Sequence, residues 1–424
     1  MRSSAITPEM DGAKVTVAGW VHEVRDLGGL VFIVLRDREG FVQITLPKKL
    51  VDKEMFKKAK KIPRESVIKV EGTVKKEEKA PNGFEIVPMT LEILNESQAP
   101  LPLEVTEKVP ADLDTRLDNR FMDLRRPKIL SIFKIKSQMT KSIRSFLYSE
   151  GFIEVQTPKI VATATEGGTE LFPISYFEKE AFLNQSPQLY KQILMSAGFE
   201  KVFEIGPIFR AEEHNTTRHL NEATSVDIEM SFTDHEGVMR ILETLVAKVY
   251  EDVATNCEKE LKTLEIKLEI PETPFQRITY TEAIELLGDK IPWGEDLDLQ
   301  SLKTLATKIE GLYFITDWPT KIKPFYVMAH EDERISKSFD LMHGYIELAS
   351  GAQREHRYEK LAENIKSKGL SVESFDFYLK AFRYGMPPHA GWGLGLERFL
   401  MAMLELNNIR EAMLFPRDRT RISP

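Results

Sequence analysis

A chain of 424 residues is longer than most single domains, so we expect two or more domains. Hydrophobic residues make up 42% of the chain and charged residues 29%, which is typical of a globular protein and excludes a disordered one. The formal net charge of −8 excludes a uniformly basic coat for nucleic acid, although it allows a basic face on one domain.

Cys257 is the single cysteine, which excludes intramolecular disulfides and a Cys-rich zinc site and indicates a reducing compartment. The segment MRSSAITPEM lacks the apolar core of a secretory signal, so we expect a cytoplasmic protein. The longest apolar stretch, 390–406, contains Glu397 and Arg398 and is too short to cross a bilayer, so we predict no membrane association.

Residues 1–100 are predicted to form a small β-barrel. Short runs of β-branched and aromatic residues, separated by turn residues, predict strands over 15–24, 31–36, 42–46, 66–74 and 84–94. A helical segment over 51–61 lies between the third and fourth strands, which is the element order of an OB-fold. This module has a net charge of +2, against −10 for the remaining 324 residues, which suggests separate tasks for separate domains.

The rest of the chain predicts a second, larger domain. Pro100, Pro102 and Pro110 indicate a linker or hinge over 101–128. Apolar residues recur at helical spacing over 129–147. After this helix, strands and helices mix without βαβ alternation, so residues 129–424 are predicted to form an α+β domain around an antiparallel sheet.

A basic cluster lies on and beside the helical segment of the first module. It consists of Lys48, Lys49, Lys53, Lys57, Lys58, Lys60, Lys61 and Arg64. Such a cluster can neutralise phosphates, but it is also typical of a solvated helix face. Phe32 and Gln43, on neighbouring predicted strands, could stack on and hydrogen-bond an unpaired base, although Phe32 alone would suit a core position equally well.

Two cationic positions flank a polar loop in the second domain. Arg210 and Glu212 follow one predicted strand, and Arg218 and His219 come after the loop, before an alternating strand over 224–230. Arginines placed in this way suit bidentate binding of a polyphosphate or a carboxylate. An ordinary surface hairpin with salt bridges has the same short pattern.

A glycine-rich segment, GWGLGLER over 391–398, precedes an apolar helix. Its glycines allow a ligand or a packed strand to approach closely, and it matches neither a dinucleotide fingerprint nor a P-loop. Asp340 and Glu347 offer oxygen ligands suited to Mg²⁺ beside phosphates, or they form an ordinary salt-bridged strand. Glu166 lies in a Gly-rich loop where its carboxylate could close on a substrate ammonium.

The order of these motifs resembles that of the class II aminoacyl-tRNA synthetases, and the chain is similar to aspartyl-tRNA synthetases of the archaeal type. Motif 1 would lie around Pro158, motif 2 around Arg210 and motif 3 around Arg398. The similarity runs through RFMDLRRP, GFIEVQTPKI, ATATEGGTELFP, QSPQLYKQ, FRAEEHNTTRHLNE, ELASGAQREHR, AFRYGMPPHAG and GLGLER. The large insertion that bacterial relatives carry between motifs 2 and 3 is missing from this sequence.

The resemblance implies activation of L-aspartate with ATP and Mg²⁺, followed by transfer of the aspartyl group to tRNA. Arg210 would bridge the aspartate carboxylate and the α-phosphate, and Arg398 would stack on the purine. The other implied aspartate ligands are Glu166, Gln188, Lys191, Ser350 and Arg354. The other implied ATP ligands are Glu212, Arg218, His219, Leu220, Glu347, Gly395, Leu396 and Glu397, with Glu347, Ser350 and Asp340 for magnesium.

The resemblance also suggests how the amino acid is chosen. Lys191 and Arg354 would hold the side-chain carboxylate, and we expect asparagine to leave both cations poorly paired.

One position departs from the family. Many relatives place a phenylalanine against adenine just after the acidic residue that follows the motif 2 loop, whereas Ala223 and Thr224 follow Glu222 here.

The resemblance further implies a homodimer built through motif 1 and an anticodon-reading barrel that uses Phe32 and Gln43. Strict archaeal relatives carry a tryptophan and a lysine where this chain has His22 and Pro81. Proline lacks both a backbone N–H and a side-chain donor, so we predict relaxed reading of the third anticodon base. The chain would then charge both tRNA(Asp) and tRNA(Asn) with aspartate.

Other readings of the sequence remain open. A discriminating aspartyl enzyme and an asparaginyl-tRNA synthetase share the same motifs. A paralogue that makes free asparagine is disfavoured because that family lacks the barrel. A catalytically inactive tRNA-binding protein is disfavoured because it would not need Arg210, Glu347, Arg354 and Arg398.

Overall fold

The computed structural model describes residues 1–106, 108–162, 171–212, 216–288 and 291–424. The chain forms two compact units, Met1–Arg126 and Pro127–Pro424. A separate linker over 101–128 stays a prediction. In the described ranges, no helix is both long and apolar enough to cross a membrane.

The first unit is built on a closed barrel, as predicted for residues 1–100. Its strands are β1 (Lys14–Asp26), β2 (Leu30–Arg36), β3 (Phe41–Pro47), β4 (Val67–Lys76) and β5 (Phe84–Asn95). They close in the order β1-β2-β3-β5-β4, and helix α1 (Lys53–Ala59) follows β3. Buried and less buried residues alternate along the strands, so valine, isoleucine and leucine side chains fill the interior.

Two short helices, α2 (Leu113–Asp118) and α3 (Arg120–Asp123), also belong to the first unit. The chain after them is tied to the barrel through Glu65, which is fully buried. Its carboxylate accepts hydrogen bonds from Arg36, at 2.7 Å, and from Arg125, at 3.0 Å. The two guanidinium groups lie 5.9 and 5.6 Å from the ring centroid of Trp20, which adds cation–π attraction.

The second unit contains nine helices in the part of it that is described. The helices are α4 (Pro127–Ser149), α5 (Gln188–Ser196), α6 (His235–Asn256), α7 (Glu258–Leu264), α8 (Tyr280–Leu286), α9 (Leu299–Ala306), α10 (Tyr358–Ser367), α11 (Asp376–Phe382) and α12 (Leu396–Met403). Short 3₁₀ turns lie at Ser3–Ala5 and Pro8–Met10 in the first unit. In the second unit they lie at Thr320–Ile322, Glu373–Phe375 and Ile409–Ala412.

The described strands of the second unit form one large sheet and one small sheet. They are β6 (Ile153–Glu154), β7 (Ile160–Val161), β8 (Pro173–Tyr176), β9 (Lys179–Leu183), β10 (Lys201–Phe209), β11 (Glu222–Ser231), β12 (Gln276–Thr279), β13 (Leu312–Thr316), β14 (Ser338–His343), β15 (Ile346–Gln353) and β16 (His389–Gly395). The large sheet has the order β12-β13-β14-β15-β16-β11-β10-β6, and the small one the order β7-β9-β8.

In the spatial order of the large sheet, all neighbouring strands from β13 to β10 are antiparallel. The two outermost pairs, β12 with β13 and β6 with β10, are parallel. The sheet is therefore mixed, with the predicted antiparallel core. Helix α6 packs against β15 and β16 on one face, and α4 packs against α6 and α7. Helix α4 buries one apolar stripe, which includes Ile132, Ile135, Met139 and Ile143.

Candidate functional site

A cavity of about 310 Å³ lies over the middle of the large sheet. The structure brings twelve of the predicted aspartate and ATP ligands to its wall: Gln188, Arg210, Glu212, Arg218, His219, Leu220, Glu347, Ser350, Arg354, Gly395, Glu397 and Arg398. They come from α5, from the segment between β10 and β11, from β15 and the residue after it, and from the end of β16 and the start of α12. Segments far apart in the chain therefore meet at one site.

Three predicted residues lie elsewhere. Lys191 is buried beneath the cavity, 2% exposed, on α5. Asp340 lines an adjoining chamber of about 170 Å³ together with Glu347. Leu396 lines a separate open groove beside α4. Glu166 falls outside the described residues.

Two buried ion pairs form the floor of the cavity. Lys191 Nζ lies 2.9 Å from Asp227 Oδ1 and donates a second hydrogen bond, of 3.2 Å, to the carbonyl of Trp392. Arg354 Nε donates to Glu229 Oε1 at 3.0 Å, and one terminal nitrogen lies 3.3 Å from Oε2. We refer to Lys191, Asp227, Glu229 and Arg354 as the charge quartet.

Glu229 and Arg354 hold each other in the ionised state. Burial works to raise the pKa of Glu229, yet Arg354 and Lys191 bring it below its usual range. Burial works to lower the pKa of Arg354, and Glu229 more than offsets this. Lys191 and Arg354 therefore each already face a carboxylate of the chain, and their predicted contact with a substrate carboxylate stays a prediction.

The quartet depends on alternation along β11. Asp227 and Glu229 point to the cavity side of the sheet, while Val226, Ile228 and Met230 point to the other side and are buried. This pattern is visible in the sequence TSVDIEM, so the two acids could have been identified as site residues from the strand period alone.

Glycines on the neighbouring strand β16 make room for these acids. Gly393 pairs with Asp227 and Gly391 pairs with Glu229. A Cβ atom at Gly391 would lie 2.2 Å from the carbonyl oxygen of Ile228 and 2.3 Å from Glu229 Oε2. Gly391 and Gly393 therefore allow β16 to pack closely against the acids of the quartet.

Gln188 also faces the quartet. Its side-chain oxygen lies 3.4 Å from Arg354, and its amide nitrogen is buried without a partner among the described residues. A buried N–H group without an acceptor is costly, and a ligand oxygen in the cavity would satisfy it. The quartet and Gln188 together suit a small ligand that carries one positive group and one negative group.

The outer part of the cavity is rich in arginine. Arg398 Nη1 lies 3.4 Å from the carbonyl oxygen of Glu347 and 3.7 Å from its carboxylate. Arg210 Nη1 lies 3.8 Å from Glu212. Arg218 lies 5.6 Å from the ring of Tyr345. Three guanidinium groups around one opening favour an anionic ligand with several oxygens.

His219 lies among these arginines and does not add a charge. Burial first, and then Arg398, Arg218 and Arg210, lower its pKa to about 4. Its Nδ1 forms a 2.6 Å hydrogen bond with the hydroxyl of Thr216. The ring is neutral at physiological pH and can offer a flat face or a single hydrogen bond, but no cationic phosphate contact.

Glu397 connects the cavity wall to α4. Its two carboxylate oxygens accept hydrogen bonds from Lys136 Nζ, at 2.7 Å, and from the backbone N–H of Thr224, at 2.8 Å. The side chain is 1% exposed. Glu397 thus fixes the position of Arg398, the next residue, and its predicted contact with ATP stays a prediction.

A bulge in the β14–β15 pairing gathers the predicted metal ligands. Asp340 pairs with Ser350 and Met342 pairs with Glu347, so Leu348 is the extra residue. Because of this shift, Glu347 faces the same side of the sheet as Asp340 and Ser350. These are the oxygen ligands that Mg²⁺ takes in nucleotide sites, where phosphates complete the shell, so they fit the implied ion.

Comparison with known proteins gives two family matches. Residues 112–419 match the family described as tRNA synthetases class II (D, K and N). Residues 15–94 match the OB-fold nucleic acid binding domain.

Curated relatives match the chain over its full length. One, the Aspartate--tRNA(Asp/Asn) ligase of Archaeoglobus fulgidus, is 71% identical and the match covers 99% of this chain and 98% of the relative. The protein of the same name from Methanocaldococcus jannaschii is 60% identical, with 100% and 97% covered.

Solved structures are similar as well. The asparaginyl-tRNA synthetase of Pyrococcus horikoshii, complexed with asparaginyl-adenylate, has a TM-score of 0.95 at 36% identity, covering 100% of this chain and 99% of that one. The aspartyl tRNA synthetase of Entamoeba histolytica has a TM-score of 0.89 at 33% identity, with 100% and 92% covered.

The packing of Gly391 against the quartet leads to a prediction. Gly391→Ala should destabilise the protein by about 1–3 kcal/mol or more, because the methyl group overlaps a backbone carbonyl and a buried carboxylate. Gly395→Ala on the same strand is the control, since its Cβ would meet only the side chain of Arg398, at 3.7 Å. Urea unfolding measures both, and equal losses would contradict this role of Gly391.

Proposed function

Because the chain belongs to the class II tRNA synthetases for aspartate, lysine and asparagine, we propose that it attaches L-aspartate to tRNA through an aspartyl-adenylate. In the first step, the α-carboxylate of aspartate attacks the α-phosphorus of ATP, and pyrophosphate leaves. In the second, a ribose hydroxyl of the terminal tRNA nucleotide attacks the carbonyl carbon, and AMP leaves. Neither step needs a nucleophile from the protein.

The charge quartet is the observation that carries this proposal. Lys191 and Arg354 balance Asp227 and Glu229 one for one. Bound aspartate adds one ammonium, which Asp227 can accept, and one side-chain carboxylate, which Lys191 and Arg354 can share. Its α-carboxylate would meet Arg210 at the cavity wall. Every buried charge then has a partner of opposite sign.

Asparagine would break this balance. It brings the same ammonium but a neutral amide, so one positive charge on the floor would have no counter-charge. The curated relatives at 71% and 60% identity carry aspartate in their names. These identities favour aspartate as the amino acid.

Arg210, Arg218 and Arg398 would hold ATP in the outer part of the cavity. The attack on phosphorus needs alignment and neutralisation of charge, which pre-placed guanidinium groups provide without reorganisation. Asp340, Glu347 and Ser350 would hold Mg²⁺, which supplies further neutralisation of the phosphates when bound. Ala223 and His219 both line this cavity, and the neutral ring of His219 would take the place of the missing phenylalanine against adenine.

Exchange of pyrophosphate into ATP tests the amino acid. Arg354→Leu alone would leave Glu229 buried without its partner, so we pair it with Glu229→Gln. The double variant should lose aspartate-dependent exchange by about a hundredfold or more while still binding ATP, because the side-chain carboxylate loses its guanidinium. Arg334→Leu is the control, as its side chain is 75% exposed and its partner Asp332 is 41% exposed. Normal aspartate exchange in the double variant, or exchange by the wild type with asparagine alone, would refute the assignment.

We further propose that the chain acts as a homodimer through α4 and its surroundings. An open groove beside α4 is lined by Phe133, Met413, Leu414 and Phe415, and the last two side chains are 46% and 47% exposed. A patch of neighbouring exposed apolar side chains is typical of a protein interface. Lys136 lies in the same groove and binds Glu397, so the interface would also support the ATP site.

Light scattering should give twice the chain mass of 48.6 kDa at micromolar concentration. Phe415→Asp should yield monomers, because a charge in an apolar interface is costly to bury. Phe377→Asp, at a side chain that is 45% exposed on α11, should leave the mass unchanged. A wild-type monomer would contradict the dimer.

The barrel would bind the anticodon of tRNA. Phe32 and Gln43 lie on the outward side of β2 and β3, between residues that point into the barrel core. His22 is the extra residue of a bulge between β1 and β2, and its ring lies 5.0 Å from that of Phe41. Asn82, next to Pro81, donates a 2.7 Å hydrogen bond to the carbonyl of Phe41.

His22 and Pro81 therefore border the same end of β3, which supports a joint effect on one base. Burial, and next Arg36, lower the pKa of His22, so the ring is neutral and adds no charge for a phosphate. Pro81 offers no donor to a third base, and the small ring of His22 would restrict the site less than a tryptophan. We propose that the chain charges both tRNA(Asp) and tRNA(Asn).

Charging of two tRNA transcripts that differ only in the third anticodon base tests this relaxed reading. We expect kcat/KM values within about a hundredfold of each other, a gap below roughly 2.7 kcal/mol. His22→Trp with Pro81→Lys should widen the gap by adding a bulky ring and a donor. A larger gap in the wild type would identify a discriminating enzyme.

A further inference from the structure

Lys323 lies between the main cavity and the adjoining chamber and lines both. It follows the 3₁₀ turn Thr320–Ile322, and its side chain is 14% exposed. Nζ lies 2.9 Å from Asp340 Oδ2 and 3.2 Å from Oδ1. It also lies 4.4 Å from the ring centroid of Trp318, so the ammonium is held by a carboxylate and an aromatic face together.

This ion pair engages a carboxylate that the sequence motifs assign to magnesium. Both oxygens of Asp340 contact the ammonium, and Asp340 is 4% exposed. A carboxylate has lone pairs for both a metal and a donor, but a divalent cation on Asp340 would lie only a few ångströms from an ammonium that shares its single negative charge. The two cations would repel each other, so binding of metal at Asp340 is weakened unless Lys323 moves.

The cost of that movement depends on what else enters the site. If a metal ion comes alone, the displaced ammonium stays in a largely buried place without a counter-charge, which is unfavourable. If the metal comes with a polyphosphate in the main cavity, the phosphate oxygens can accept the ammonium instead. Lys323 lines that cavity together with Arg218 and Arg398.

We propose that Lys323 is a resident counter-ion that keeps free divalent metal off Asp340 and moves onto a phosphate when metal and nucleotide bind together. Binding of metal and of nucleotide is then cooperative, and the coupling acts equally in both directions. The inference rests on the proposed function only for the identity of the polyphosphate as ATP.

Binding of Mn²⁺ as a probe for Mg²⁺, followed by electron paramagnetic resonance, tests the proposal without measuring activity. Lys323→Met removes the charge and keeps the length of the side chain. Without nucleotide, the variant should bind Mn²⁺ about tenfold more tightly than the wild type, because the competing ammonium is gone. The affinity for a non-hydrolysable ATP analogue, measured in saturating Mn²⁺, should fall about fivefold or more, because one phosphate contact is lost.

Two control variants assign the effect to this ion pair. Lys321→Met changes a neighbouring lysine whose side chain is 76% exposed, and it should leave both affinities unchanged. Lys323→Met combined with Asp340→Asn should lose the gained Mn²⁺ affinity. If Lys323 had only a structural role, its replacement would not be expected to raise the affinity for Mn²⁺ and lower the affinity for the ATP analogue.

Mn²⁺ affinity that is unchanged or weaker in Lys323→Met would overturn the proposal. If that variant does not fold, Lys323→Arg decides, because arginine keeps the ion pair and should bind Mn²⁺ no more tightly than the wild type. Tighter binding by the arginine variant would equally overturn the proposal. A wild-type protein that binds no ATP analogue at all would instead refute the proposed function.

Discussion

The second unit depends on keeping four charges buried in the middle of its sheet. Moving an ionised group out of water costs several kcal/mol unless a partner of opposite sign lies beside it. Lys191 meets this condition at Asp227, and Arg354 meets it at Glu229. On the neighbouring strand β16, the positions opposite the two acids are glycines, which leaves room for the buried carboxylates.

The same constraint would give the site its selectivity. A neutral floor accepts a ligand that adds one charge of each sign, and it disfavours a ligand that adds only one. The fold by itself does not make this choice, since an asparaginyl-tRNA synthetase has nearly the same fold, with a TM-score of 0.95. Selectivity among such relatives must come from the charged side chains and their partners.

Local patterns predicted much of the fold. The barrel strands alternate with a period of two, and α4 shows a clear helical stripe, so both were found with boundaries within a few residues. The α+β fold class and the family resemblance are confirmed by the two family matches. The motif residues around Arg210, Glu347 and Arg398 do meet in one cavity.

The pairing of charges across the sheet was not predicted. Arg354 and Glu229 are 125 residues apart, and only the register of β11, β16 and β15 brings them together. The bulge at Leu348, which turns Glu347 toward Asp340, depends on backbone pairing that no local pattern reveals. The contact of Lys323 with Asp340 is hidden for the same reason. The acids of β11 are different, because their alternation was visible in the sequence.

Charge balance on the floor of the cavity is tested most directly by Lys191→Met. This variant removes one positive charge, so the floor is neutral with asparagine bound and carries an excess negative charge with aspartate bound. The ratio of kcat/KM for aspartate over asparagine in pyrophosphate exchange should fall about a hundredfold or more, without loss of the asparagine rate. An unchanged ratio would show that the quartet does not select the amino acid by charge.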